Sequence, residues 1–257
     1  MSRSVQDIMA LIKEQNIQMV DFKMVDINGQ YRHVTIPAEN FSEDTMKSGI
    51  GFDASNYGYA VVEKSDMVFI PDPDTAVIDP FCQIPTLSMT GNAMIIDNPE
   101  NRPLAQYPRN IVLAATQYMK DSGIADTMLI LPEFEFYLFD QVGWEVQPYS
   151  ISSQVDAVQS YWNSAVEGKG TVVPKQKNYH IAKPFDQTYE CRSEMCLHMK
   201  DAGIEINYHH PEVAASGQFE IEPLLGQMSK MADATMMIKY IIHNTALKYG
   251  KSAILDI

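Results

Sequence analysis

The stretch from Thr127 to Asp140, TMLILPEFEFYLFD, constrains the fold more than any other part of the chain. It begins as an apolar run and then alternates, which is the pattern of a β-strand with two different faces. Glu133 and Glu135 would share one face, about 6.5 to 7 Å apart along the strand, and would repel each other unless solvent, a cation or shared protons relieved them. The pattern therefore indicates either an edge strand with its polar face in water or the wall of a site for a hard cation such as Mg²⁺ or Mn²⁺.

Length and charge limit the classes of protein that this chain can represent. Its 257 residues, 46% apolar and 20% charged, suffice for one large domain or for a small domain plus a larger one. The formal net charge of -14 repels polyanions and attracts cations, which argues against direct nucleic-acid binding and is compatible with a metal enzyme. The chain shows neither a signal peptide nor an apolar run of roughly 18 residues, so we predict a cytoplasmic protein without a membrane partner.

The first part of the chain has the pattern of a small, sheet-rich domain. A capping box predicts a helix over residues 4–15, and alternating segments on both sides of Asn28-Gly29 predict a hairpin. Short apolar runs interrupted by prolines follow between Met67 and Asn98. We place the end of this domain at residue 104, where the character of the sequence changes.

Helices alternate with strands in the second part. Two similar hexapeptides, MKDSGI (Met119 to Ile124) and MKDAGI (Met199 to Ile204), each end a predicted helix and begin a predicted strand. The strand region after the second copy carries Glu212, Glu220 and Glu222. The echo predicts two similarly built units that bring carboxylates to a common location.

Three other segments complete the interpretation of the second part. Residues 150–182 have little periodicity and are interpreted as a long polar loop. Residues 188–201 and 226–249 are predicted helices, and the methionines of the latter are interpreted as core residues. The three cysteines, Cys82, Cys191 and Cys196, lack zinc-site spacing and are interpreted as buried or free thiols.

Four segments in order closely resemble glutamine synthetase of the bacterial type I class: GFDASNYGYAVVEKSDMVFIPD, LPEFEFYLFD, HHPEVAASGQFEIE and KYIIHNTALKYGKSA. The resemblance implies an α+β protein. It predicts an N-terminal β-grasp domain over residues 1–104, followed over residues 105–257 by the first half of a catalytic domain built on a curved antiparallel sheet.

The resemblance also implies a reaction and a set of site residues. The family makes glutamine from glutamate, ammonium and ATP through a γ-glutamyl phosphate, with two divalent cations, Mg²⁺ or Mn²⁺, that offset the charge of the transferred group. By motif, Glu135, Glu212 and Glu220 match the ligands of the first cation, and Glu133 matches a ligand of the second. Asp53 matches the acid that binds ammonium, which in the family comes from a neighbouring subunit of a dodecamer. A homo-oligomer is therefore expected.

Several of these residues have alternative interpretations. Asp53 could cap a turn, and Asp66 could cap a helix or a turn. His209 and His210 have the chemistry of metal ligands, but the resemblance assigns metal binding to the neighbouring glutamates. Glu222 is expected to be a solvated or interface acid.

The resemblance covers only the first half of the family's chain. The family continues into FMPKP and NGSGMH segments, a loop acid and several arginines, none of which is present in the 257 residues. We therefore predict a fragment or a truncated gene product with little or no synthetase activity alone. Glu135→Ala should abolish a metal site, whereas Glu133→Ala should change little because the other ligands of that cation would be absent.

Two further functions remain open. The first is a ligase of the same superfamily that joins glutamate to a polyamine or another amine, although Asp53 argues against it. The second is a non-catalytic member of the family that associates with or regulates a complete synthetase.

Overall fold

The computed structural model describes residues 2–97, 99–214 and 216–255. The chain divides into two compact units. The first comprises Met1–Leu129 and Gln227–Met236, and the second comprises Ile130–Gly226 and Met237–Ile257. This division follows spatial contacts, whereas the boundary after residue 104 was inferred from sequence character and stays a prediction.

The elements between residues 2 and 121 are, in chain order, α1 (Val5–Glu14), β1 (Met19–Val25), β2 (Tyr31–Pro37), α2 (Glu43–Ser48), β3 (Ile50–Asp53), β4 (Asp66–Pro71), β5 (Val77–Ile78), β6 (Thr86–Met89), β7 (Gly91–Ile95), β8 (Arg102–Pro103) and α3 (Pro108–Asp121). The helix predicted over 4–15 is confirmed as α1, and its Ser4 cap forms the expected capping box with Asp7. The predicted hairpin is confirmed as β1 and β2, which pair antiparallel.

Two sheets organise the first unit, with strand orders β2-β1-β6-β5 and β3-β4-β7-β8. In the first sheet β1 pairs in parallel with β6 and antiparallel with β2. Phe22, Phe69 and Leu87 belong to the buried core of the unit. The expected β-grasp architecture is confirmed.

A buried charge cluster lies on β1. The ammonium group of Lys23, a residue only 5% exposed, contacts carboxylate oxygens of Asp21 at 2.6 Å and Asp79 at 3.0 Å. It also donates a hydrogen bond of 2.8 Å to the Ser88 hydroxyl. A buried ammonium is tolerated only when it is paired in this way, so the cluster ties three segments of the unit together.

Gly91 provides a test of how closely β4 and β7 approach each other. A Cβ atom at Gly91 would lie 2.1 Å from the carbonyl oxygen of Ile70. Gly91→Ala must therefore displace one of the two backbones, and we expect it to lower the free energy of unfolding of the first unit by about 1 to 3 kcal/mol. Hydrogen exchange of the β4 amides measures this change.

Gly51, in β3 of the same sheet, supplies the matched control. Among the described residues no heavy atom outside its immediate chain neighbours lies within 4 Å of a Cβ placed there. Gly51→Ala should change the free energy of unfolding by less than about 0.5 kcal/mol. Equal effects of the two substitutions would contradict the close approach at Gly91.

The remaining elements are, in chain order, β9 (Leu129–Ile130), β10 (Phe134–Phe139), β11 (Gln141–Gln147), β12 (Ser150–Asp156), α4 (Tyr189–Asp201), β13 (Ile206–Pro211), β14 (Gln218–Pro223), β15 (Gly226–Gln227), α5 (Met228–Lys248) and β16 (Ser252–Leu255). In the second unit an antiparallel sheet has the order β13-β14-β10-β16. The alternation predicted for the PEFEF stretch is confirmed, because Phe134, Phe136 and Leu138 are buried while Glu135 is only partly buried.

The interpretation of residues 150–182 as one polar loop was wrong at its start. Ser150–Asp156 forms β12, which pairs with β11 in a two-stranded hairpin. The side chains on both faces of this hairpin are largely exposed, including Trp144 and Ile151. The β12 sequence, SISSQVD, has no regular alternation of apolar residues and therefore did not predict a strand.

Among residues 2–97, 99–214 and 216–255, no helix combines the length and the apolar character required to span a membrane.

Candidate metal centre

One face of the second unit's sheet collects acidic side chains from β10 and β14 and a histidine from β13. Glu135 of β10 lies directly opposite Glu220 of β14, which lies opposite His210 of β13. In the next row Glu222 lies opposite Tyr208. Residues directly opposite each other in antiparallel strands project from the same face, so the register alone brings these groups together.

Potential ligand atoms on this face form two overlapping groups. His210, Glu212 and Glu220 each offer an atom within 4.8 Å of the other two, and so do Glu133, Glu220 and Glu222. Carboxylate oxygens suit Mg²⁺ and Mn²⁺, and an imidazole nitrogen is also an acceptable ligand for a transition metal. The donor set therefore fits the predicted cation, and Glu220 is common to both groups.

The electrostatics of this face also fit a cation. Glu212 and Glu220 are 8% and 7% exposed. Burial raises the pKa of Glu220, and the nearby charges of Glu133, Glu212 and Glu135 raise it further, while His210 opposes the shift. A divalent cation would relieve this repulsion and favour the ionised carboxylates.

Glu135 lies beside these groups rather than within either of them. Its carboxylate accepts a 2.7 Å hydrogen bond from the Gln218 side-chain amide. The structure thus brings the predicted ligands Glu212 and Glu220 together and places Glu135 directly across the sheet from Glu220. The assignment of Glu135 as a third ligand stays a prediction.

Glu222 was expected to be a solvated or an interface acid, and the first of these alternatives is wrong because the residue is buried. The residue is only 7% exposed, and its carboxylate accepts hydrogen bonds from the Tyr208 hydroxyl and, at 2.9 Å, from the Asn207 amide. These bonds lower the pKa of Glu222, and the bond to Glu222 raises the pKa of Tyr208 to about 12. Glu222 is therefore an ionised carboxylate held in one orientation beside Glu133.

The two adjacent histidines have different surroundings. His209 accepts a hydrogen bond at Nδ1 from the Arg192 guanidinium, and its Nε2 atom shares a hydrogen bond with the Ser193 hydroxyl. Burial lowers the pKa of His209 to about 4, which keeps the ring neutral at physiological pH. His210 instead has its Nε2 atom 3.7 Å from a Glu220 carboxylate oxygen. The alternation of β13 separates them, so only His210 joins the candidate metal centre.

Asp53 lies in the first unit at the end of β3. Its exposed carboxylate accepts hydrogen bonds from the Ser55 amide at 2.9 Å, the Ser55 hydroxyl at 2.6 Å and the Asn56 amide at 2.9 Å, and these bonds to Ser55 and Asn56 lower its pKa. The turn-capping interpretation is confirmed. Asp66 is the first residue of β4 and lies opposite Asp53. The role of Asp53 toward ammonium stays a prediction.

The fold and the acid-lined sheet define an α+β protein with a β-grasp domain and a candidate site for divalent cations. The family model for the β-grasp domain of glutamine synthetase matches residues 16–95, and the model for the catalytic domain of glutamine synthetase matches residues 105–255. The chain belongs to the glutamine synthetase family, as the sequence motifs predicted, and this is a family of ligases.

Individual relatives show the same relationship. The chain is 37% identical over 258 residues to a 3-hydroxylaminophenol mutase of Cupriavidus pinatubonensis, covering 98% of this chain and 54% of that protein. It is 35% identical over 255 residues to a glutamine synthetase of Vibrio cholerae, covering 97% of this chain and 54% of that protein. The chain thus spans about half the length of the curated relatives that it matches.

Solved structures support the fold. A cryo-electron-microscopy structure of Plasmodium falciparum glutamine synthetase superimposes with a TM-score of 0.85 at 22% identity, covering 99% of this chain and 50% of that one. A structure described as a GmaS/ADP complex superimposes with a TM-score of 0.75 at 20% identity, covering 96% and 51%. At these identities the likeness shows the architecture alone.

Proposed function

We propose that this chain serves an ATP-dependent ligase reaction that forms glutamine from glutamate and ammonium. The observation that carries the proposal is the position of Glu220. Its carboxylate offers an oxygen within 4.8 Å of potential ligand atoms of His210 and Glu212 in one group, and of Glu133 and Glu222 in the other. Family membership supports the use of ATP and a divalent metal in general.

The roles of the residues follow from the charge of the reactants. Phosphoryl transfer between two anions requires neutralisation and orientation, which a carboxylate-bound Mg²⁺ or Mn²⁺ supplies when present. In our proposal Glu135, Glu212 and Glu220 hold the first cation, and Glu133 holds the second. Glu222, fixed by Tyr208 and Asn207, adds a carboxylate beside Glu133, so Glu133 is not the sole acid available to the second cation within this chain.

Asp53 is proposed to bind ammonium and to accept a proton from it. The hydrogen bonds from Ser55 and Asn56 keep the Asp53 carboxylate ionised and fix its orientation. By analogy with the family, Asp53 would act in the site of a neighbouring subunit, so we propose a homo-oligomer, with twelve subunits in the full-length family. The domain boundary after residue 104 and the cytoplasmic location belong to the same proposal.

Because we predict little or no synthetase activity for the 257 residues alone, the proposed reaction is tested on the intact assembly purified from the native source. Glutamine should form from glutamate, ammonium and ATP, and its formation should stop when divalent cations are chelated and resume when Mg²⁺ or Mn²⁺ is restored. Absence of glutamine at saturating concentrations of all reactants would contradict the proposal.

Asp53→Asn separates the proposed catalytic role from the capping role. The Oδ1 atom of asparagine can still accept the two bonds from Ser55, but its amide nitrogen cannot accept the bond from Asn56. The free energy of unfolding should therefore fall by about 1 kcal/mol or less. Loss of the charge should lower kcat/KM for ammonium by about tenfold to 100-fold, the equivalent of one charge-assisted hydrogen bond. Steady-state kinetics with varied ammonium measure this, and unchanged kinetics would remove Asp53 from the site.

A second candidate is the rearrangement of 3-hydroxylaminophenol. The 37% identity to a protein with that activity, over 98% of this chain, favours it. Incubation with 3-hydroxylaminophenol without ATP or glutamate discriminates the candidates. Conversion under these conditions, with no glutamine in the ligase assay, would favour the mutase reaction.

A further inference from the structure

A buried amide lies on the carboxylate face of the second unit's sheet. Gln218 precedes Glu220 by two residues on β14, so both side chains project from the face that also carries Glu135. Gln218 is only 4% exposed. Burying an amide is costly unless its donor and its acceptor both find partners, so the partners of Gln218 indicate its role.

Both ends of the Gln218 side chain form hydrogen bonds. Its Oε1 atom accepts a 2.8 Å hydrogen bond from the backbone amide of Ala214, and its Nε2 atom donates a 2.7 Å hydrogen bond to the Glu135 carboxylate. A backbone N–H can only donate, so Oε1 must face Ala214 and the amide hydrogens must face Glu135. The side chain therefore joins β10 to the segment between β13 and β14 in one defined orientation.

The backbone of Gln218 is tied to a second candidate ligand. Its carbonyl oxygen accepts hydrogen bonds from the Glu212 backbone amide at 2.9 Å and from Nδ2 of Asn178 at 3.0 Å. The same Asn178 nitrogen donates to the Glu212 carbonyl oxygen at 2.9 Å, and Asn178 is 1% exposed. Gln218 thus contacts Glu135 through its side chain and Glu212 through its backbone.

A neutral donor suits a carboxylate that has to bind a cation. A lysine or an arginine at this position would also orient the Glu135 carboxylate, but its charge would repel a metal ion. The Gln218 amide orients the carboxylate and leaves its negative charge in place. Glu222 is held in the same way, by the Tyr208 hydroxyl and the Asn207 amide.

We infer that Gln218 is a positioning residue of the candidate metal centre, whose amide fixes the Glu135 carboxylate relative to Glu212 and Glu220 for binding one divalent cation. Ligand groups that are held in place lose less conformational freedom when the cation binds, which raises the affinity. The inference deepens the proposed function and rests on the proposed role of Glu135 as a ligand. Its test measures metal binding without turnover, so its failure and the failure of the proposed ligase reaction are distinguishable.

Gln218→Met tests the inference, since methionine fills a similar space but cannot donate a hydrogen bond to Glu135. The probe is Mn²⁺, titrated into the protein and followed by electron paramagnetic resonance. We expect the affinity for Mn²⁺ to fall by about 10-fold to 100-fold, the usual cost of losing a group that orients a metal ligand. Unchanged affinity would overturn the inference. Tighter binding would also overturn it, because the amide would then compete with the cation for Glu135.

Gln218→Asn is a milder second variant. It keeps the amide, but its side chain is one methylene shorter and cannot maintain the contacts with both Ala214 and Glu135. It places no apolar group on the carboxylate face, so it serves if Gln218→Met does not fold. The affinity for Mn²⁺ should again fall by about tenfold, and a folded Gln218→Asn protein with unchanged affinity would refute the positioning role.

A double variant shows whether Gln218 acts through Glu135. Glu135→Gln removes the charge of the ligand and should weaken Mn²⁺ binding by itself. Adding Gln218→Met to Glu135→Gln should then change the affinity by less than about twofold, because the carboxylate that Gln218 positions is already absent. A larger additional loss would mean that Gln218 acts by another route, which contradicts the inference.

Gln159→Met is the matched control, since Gln159 is another buried glutamine of the second unit. It is 1% exposed, and its side-chain oxygen accepts a 3.3 Å hydrogen bond from the Gln187 backbone amide. Gln159→Met should lower the stability toward urea, as Gln218→Met does, but should leave the affinity for Mn²⁺ unchanged. If both variants weaken Mn²⁺ binding equally, the role of Gln218 is only structural and the inference is overturned.

Discussion

Replacing Glu220 with glutamine should lower the affinity of the second unit for Mn²⁺ by more than about 100-fold. Glu220 is the residue shared by the two candidate ligand groups, with His210 and Glu212 in one and Glu133 and Glu222 in the other. Loss of a residue that only supports a metal ligand already costs about 10-fold to 100-fold, so loss of a shared ligand should cost more. Titration of Mn²⁺ followed by electron paramagnetic resonance measures the affinity.

Glu145→Gln provides the control for this experiment, because Glu145 is an exposed acid on the β11–β12 hairpin. It removes the same charge from the same unit and should leave the affinity for Mn²⁺ unchanged. If Glu220→Gln and Glu145→Gln had equal effects, the cation would be held by the overall acidity of the protein rather than by this face of the sheet.

Arg192→Met should have the largest effect on stability. The guanidinium group donates to both carboxylate oxygens of Asp186 at 3.0 and 2.6 Å, and it lies 4.4 Å from the centroid of the Phe219 ring. Arg192 and Asp186 are 1% and 4% exposed, so the substitution would leave a buried carboxylate without its counter-ion. We expect the free energy of unfolding of the second unit to fall by about 3 to 5 kcal/mol.

Tryptophan fluorescence during urea denaturation reports this change, because both tryptophans, Trp144 and Trp162, lie in the second unit. Lys200→Met, an exposed position on the same helix, is the control and should change the free energy by less than about 0.5 kcal/mol. Adding Asp186→Asn to Arg192→Met should recover part of the lost stability. A double variant as unstable as the sum of the single variants would contradict the ion-pair explanation.

Local sequence patterns predicted the elements that carry the candidate site. The alternation around Glu135 predicted a strand with one acidic and one apolar face. The segment with Glu212 and Glu220 predicted a second strand region that carries acidic residues. These patterns worked because each strand buries one face against the core, which imposes a period of two on the sequence. Glu212 and Glu220 come together in the structure as the motif resemblance implied.

Other features depend on the pairing register, which the sequence does not specify by itself. His210 joins the site because it is opposite Glu220, and its neighbour His209 is turned away by one step of the same strand. The burial of Glu222 depends on Tyr208 and Asn207 across the sheet. Its Glu-x-Glu spacing with Glu220 repeats that of Glu133 and Glu135 and was the signal that could have identified it.

Anomalous diffraction from crystals of the protein grown with Mn²⁺ tests whether the acidic face of the β13-β14-β10 sheet is a divalent-metal site. We expect an anomalous peak between Glu212 and Glu220, within metal-ligand distance of both carboxylates. Manganese bound only elsewhere on the protein, with no peak at Glu220, would contradict it.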